Sequence, residues 1–106
     1  MTGGNWMSSM NMKVHRVRGE GEVVAVCDTE LVDRTLRRGD VDVVISGGFY
    51  GDRPVTDDEV REALKGACNI NLFGRRAVEL AKELGLVDET CCILIDGVPH
   101  AQVYLL

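Results

Sequence analysis

The chain of 106 residues is short of aromatics, proline and histidine, and it has neither a long apolar run nor a Cys-x-x-Cys pair. Its aromatics are Trp6, Phe49, Tyr50, Phe73 and Tyr104. That is a thin supply for a single-strand RNA platform, which stacks bases on exposed rings. No stretch approaches the roughly 18 apolar residues of a membrane span. The opening segment lacks a basic start and an apolar core, so no signal peptide is expected. Without Cys-x-x-Cys spacing, a zinc site is not expected at Cys27, Cys68, Cys91 and Cys92. Cys91 and Cys92 adjoin on the apolar run CCILI, where strand neighbours point to opposite faces. All four are therefore expected to be reduced and buried, in a cytoplasmic protein. The two histidines, His15 and His100, show no metal-ligand spacing, and no serine or cysteine stands at triad spacing. Neither a metal nor a cofactor is expected.

What is present is ordinary globular composition, 45% hydrophobic and 27% charged. That excludes wholesale disorder, collagen and a coiled coil, and the length suits one domain. Seventeen acidic against twelve basic side chains give a net charge of −5. Such a domain has no global attraction for nucleic acid or an anionic membrane, although a local patch can oppose the net sign within a Debye length of roughly 8 Å. The segment MTGGNWMSSMN has no charge and no periodicity. Residues 1–11 are expected to form a weakly ordered tail, and 12–106 a single domain.

KVHRVR and EVVAVCD flank a glycine-containing turn and read as a hairpin. Asp28 or Thr29 is expected to cap a short helix with Leu31, Val32, Thr35 and Leu36 as its stripe and Gly39 as its stop. DVDVVIS alternates as a strand, and GGFYGDRP reads as a loop. Thr56 and Glu59 form a capping box, with Val55 and Val60 as a hydrophobic staple. Val60, Ala63, Leu64 and Ala67 give that helix one buried face. NINLF reads as a junction before a helix from about Leu72 to Leu84, stopped by Gly85. CCILI and HAQVYLL flank Asp96-Gly97 as a terminal hairpin. The order ββαβααββ predicts an α+β domain with a mixed or antiparallel sheet and about three helices.

Three places are candidates for function. In NLFGRRA, Asn71 is expected to cap a helix whose first turn holds Gly74, beside Arg75 and Arg76. Free N–H groups, a glycine allowing close approach and two arginines suit an anion or RNA phosphate. In IDGVPHAQ, His100 follows Pro99, with Asp96 placed to orient its ring for general acid–base work. The loop pair Phe49-Tyr50 is either a hydrophobic plug or a partner-binding surface.

KVHRVRGEGEVVAVCD, the FYG loop, NLFGRRAVELAKELGLVD and DGVPHAQV together resemble the archaeal domain of unknown function 424 family, over about Met12 to Val103. The resemblance implies a small archaeal cytoplasmic protein and brings no established activity with it. The expected function is a non-enzymatic binding module, near translation, with an anion- or RNA-facing patch of Asn71, Gly74, Arg75, Arg76 and His100. The alternatives are a small enzyme using His100, and a structural subunit or homodimer using Phe49-Tyr50 or an open sheet edge.

Overall fold

The computed structural model describes residues 9–19 and 21–105. The remaining positions, including most of the expected tail, lie outside the described residues. Six strands form a mixed sheet: β1 (Met10–Val17), β2 (Gly21–Asp28), β5 (Pro54–Val55), β6 (Asn69–Phe73), β7 (Cys92–Ile95) and β8 (Val98–Tyr104), in the order β5-β1-β2-β6-β8-β7. Only β2 and β6 run parallel. A separate hairpin of β3 (Thr35–Arg38) and β4 (Val41–Val44) precedes the one-turn helix α1 (Gly47–Tyr50). The two longer helices are α2 (Asp57–Leu64) and α3 (Arg75–Glu83). The domain is α+β with a mixed sheet, as expected.

One face of the sheet packs on α2 and α3. Val24, Val26, Ile70, Leu72, Ala101 and Val103 meet Val60, Leu64, Ala77, Val78 and Ala81 there. Among the described residues the other face is covered only at one end, where Ala25, Cys27, Phe73 and Ile95 meet Leu31, Leu36, Ile45 and Tyr50. Period-two alternation assigns every strand residue to one face or the other. β2 is buried on both faces because both clusters draw on it, which explains its continuous apolar run VVAVC.

The capping box on α2 forms: Glu59 N–H donates to Thr56 Oγ1 and Thr56 N–H to Glu59 Oε1, at 3.1 and 3.0 Å. The terminal hairpin turns through Asp96 and Gly97, both at positive φ, the two-residue turn that matches strand twist.

Four expectations are corrected. No helix runs from Thr29 to Arg38: a 3-10 turn, Thr29–Leu31, leads into β3. Leu36 is buried between exposed Thr35 and Arg37, and pairing with β4 overrides the helical spacing. NINLF is no junction but the strand β6, between β2 and β8, so helix α3 begins three residues later than Leu72. The domain starts earlier than Met12, because Met10 and Asn11 are buried in β1. Among the cysteines only Cys27 is buried; Cys92 is half-buried, and Cys68 and Cys91 are exposed. Cys91 ends a 3-10 turn rather than sharing a strand with Cys92.

Candidate binding face of the sheet

The start of α3 is where the sequence suggested an anion, and the chain fills it with its own carboxylate. Asp28, at the end of β2 and 4% exposed, accepts from Arg76 N–H at 3.1 Å and Ala77 N–H at 3.0 Å. Those donors and the positive end of the helix dipole are thereby satisfied. Burial pushes the Asp28 carboxyl pKa up, and the two N–H bonds pull against that rise. Gly74 is the N-cap at φ +111, and a Cβ there would stand 2.5 Å from Asp28 Cγ. Its backbone is not that of an ordinary first turn. The Arg76 guanidinium pairs with Glu30 at 3.0 Å, leaving Arg75 exposed beside it. Asn71 does not cap this helix; it lies in mid-β6.

Asn71 instead joins a polar chain across the open face of the sheet. Tyr50 Oη donates to Asn71 Oδ1, Asn71 Nδ2 to Gln102 Oε1 at 2.9 Å, and Gln102 Nε2 to Asn69 Oδ1 at 3.0 Å. All three bonds point the same way, so the chain ends on the amide donors of Asn69. Its anchor is the Tyr50 hydroxyl, on a ring only 5% exposed and edge-on to Phe73. Burial pushes the Tyr50 pKa above the usual phenol range, so it remains a donor.

Phe49, next to Tyr50, stays 37% exposed and stacks on His15 with centroids 4.7 Å apart. His15 Nε2–H donates to the Phe49 carbonyl at 2.6 Å, and Lys13 Nζ to the Gly48 carbonyl at 3.1 Å. These two β1 side chains hold α1 on the sheet. Tyr50 is thus the plug and Phe49 the exposed partner of the pair. Tyr104, 62% exposed, sits opposite Asn69.

His100 faces the same side, its ring 4.6 Å from Phe73. Its Nδ1–H donates to the Leu72 carbonyl at 2.8 Å, so in the neutral ring the proton sits on Nδ1 and Nε2 is the acceptor. Burial pushes its pKa down, Arg38 adds to that, and the Leu72 bond opposes it. Asp96 does not orient this ring: it lies in the β7–β8 turn and accepts from Arg37 N–H at 3.3 Å. The acid–base pair expected from the sequence is therefore not assembled.

The structure thus brings Phe49, Tyr50, Asn71 and His100 to one face and leaves Gly74, Arg75 and Arg76 at the head of α3. The sequence reading missed Lys13, Asn69, Gln102 and Tyr104. Alternation in NINLF and HAQVY was the available signal. In a chain of net charge −5, the strand residues on this face include no Asp or Glu. The face offers exposed rings, amide donors and acceptors, and the basic side chains Lys13 and His15. Among the described residues, no cluster of His, Cys, Asp or Glu is arranged to hold a metal.

A family described as a protein of unknown function, DUF424, matches residues 15–106. The chain belongs to the DUF424 family. The DUF424 chain is also similar to a solved structure described as an uncharacterised conserved protein from Methanopyrus kandleri, with a TM-score of 0.78 and 28% identity over 92% of each chain. No curated protein matches it. No described helix of this DUF424 protein is long and apolar enough to cross a membrane.

Proposed function

We propose that this DUF424 protein is a non-enzymatic binding module whose open sheet face takes single-stranded RNA. The observation that carries the reading is the carboxylate-free strand face of an acidic chain, crossed by the one-way amide chain from Tyr50 to Asn69. Phe49 and Tyr104 supply stacking surfaces for bases, which tolerate any sequence. Asn69 and Gln102 offer hydrogen bonds to base edges, and the remaining Nζ–H donors of Lys13 face a phosphate. The anchored end of the chain, buried at Tyr50, holds the amides in place before a ligand arrives.

Fluorescence anisotropy of labelled short RNAs at two salt concentrations tests this. Stacking is worth about 1–3 kcal/mol per base, so Tyr104→Ala is expected to weaken binding by roughly 5- to 150-fold. Lys13→Ala should flatten the log–log salt dependence by about 0.7, the share of one phosphate on a single strand. The double change Arg75→Ala, Arg76→Ala should leave affinity nearly unchanged. If instead that pair abolishes binding while Tyr104→Ala does not, the ligand sits at the head of α3 as an anion. If wild type binds no RNA at millimolar concentration, the sheet-face reading is wrong.

A further inference from the structure

Among the described residues the outer edge of β1 is only partly covered. β5 pairs with Met10 and Asn11 alone. The Gly51 backbone then closes on Met12, where a Cβ on Gly51 would lie 2.7 Å from the Met12 carbonyl oxygen. Ser9 O, an odd position, accepts from Thr29 N–H on the β2 side, so even positions direct their main chain outward. Beyond Met12, the N–H and C=O of Val14 and Arg16 therefore point out of the sheet, with no strand partner among the described residues.

This edge is cationic although the chain is acidic. Lys13, Arg16 and Arg18 are exposed along it beside His15, and the Arg16 side chain is 86% exposed even while it pairs with Glu22 at 3.2 Å. Val14 is 43% exposed and offers an apolar contact. Positive charge on an edge repels a second copy of the same edge and attracts an acidic strand. Where the edge meets Gly51, a cavity of about 560 Å³ opens, its walls carrying Lys13 and Arg53 but also Asp52 and Glu59. A strand added antiparallel to β1, in line with β5, runs toward that cavity with its C-terminus leading.

We propose that the β1 edge beyond Met12 binds an extended acidic peptide of another protein as an added antiparallel strand, facing Lys13, Arg16 and Arg18. Main-chain bonds to Val14 and Arg16 give affinity, and the cations give the preference for acid. The site shares Lys13 with the RNA reading but not Tyr104, so Tyr104→Ala should leave peptide binding unchanged.

The test uses the full chain and a fluorescein-labelled peptide of alternating valine and glutamate with a free C-terminus. Anisotropy should show saturable binding that weakens with salt, and about tenfold or more weaker binding when lysine replaces glutamate. Hydrogen exchange should slow at the Val14 and Arg16 amides in the complex. Arg16→Glu should weaken binding of the glutamate peptide and narrow the charge preference. Val14→Pro should abolish binding while preserving the β2 ladder, since the lost N–H faces outward. The proposal is overturned if the peptide does not bind at millimolar concentration, if the lysine peptide binds equally, if those two amides gain no protection, or if short RNA protects them instead.

Discussion

Replacing Gly74 by alanine separates a helix-propensity argument from a structural one. Propensity alone makes Ala better than Gly in a helix by about 1 kcal/mol. The structure predicts the opposite sign. Gly74 sits at φ +111 and ψ 161, a region that only glycine occupies without strain, and leaving it costs about 1–3 kcal/mol. The added Cβ also lies 2.5–2.8 Å from three atoms of the Asp28 carboxylate, which two α3 N–H bonds hold in place. Moving the carboxylate weakens bonds to a charged group, each worth about 1.5–3 kcal/mol. With one bond lost the sum is about 2.5–6 kcal/mol, or a fall in Tm of more than ~10 °C for a domain of this size. Urea unfolding followed by circular dichroism measures it. The same substitution in an Asp28→Ala background should cost less, about 1–3 kcal/mol, because only the backbone strain remains. A stabilised Gly74→Ala protein, or strict additivity in the double variant, would refute the Asp28–Gly74 packing.

Three further outcomes follow from the same geometry. Under native conditions a chromogenic thiol reagent should titrate Cys68 and Cys91 quickly and Cys92 slowly, and should reach Cys27, whose pKa burial pushes up to about 12, only after unfolding. Thr56→Ala should lower stability by about 1 kcal/mol. It should also release Glu59, whose carboxyl the Thr56 bonds hold below its ordinary value, so the wild-type advantage present at neutral pH fades as pH falls through that depressed pKa. The folded protein binds a proton at His100 less readily than the unfolded chain does, so stability should decline as pH drops below about 6.5, and His100→Gln should blunt that decline in pH-dependent melts.

Local signals were legible where the structure is local. The Thr56–Glu59 box, the Asp96-Gly97 hairpin and the double-faced burial of β2 all follow from residues within a few positions of one another. Thr35 to Arg38 misled because Leu31, Val32, Thr35 and Leu36 fit a helical period, while the competing β-pairing with Val41 to Val44 adds only an alternation four residues long. In NINLF the polar–apolar alternation was already that of a strand with one wet face, but five residues beside a strong helix pattern were absorbed into it. The site failed differently. The partners of Asn71, Gly74 and His100 are Tyr50, Asp28 and the Leu72 carbonyl, 21, 46 and 28 positions away. No spacing rule reaches that far. The two exposed cysteines, Cys68 and Cys91, have no local mark at all, since both adjoin apolar stretches.

The Asp28 carboxylate makes α3 a helix that cannot cap itself. Gly74 provides no side chain, and the first turn holds two arginines but no acid. As an isolated peptide the segment would leave its leading N–H groups to water and carry positive charge at the wrong end of the dipole. Its order therefore depends on β2 and β6 already lying side by side, the one parallel pairing in the sheet and one closed across more than forty intervening residues. Such a loop is slow to close, and the helix nearest the core should form with or after that closure rather than seed it. Folding of the chain is then expected to begin at the self-sufficient ends, the β1–β2 and β7–β8 hairpins, and to finish when Asp28 meets Gly74.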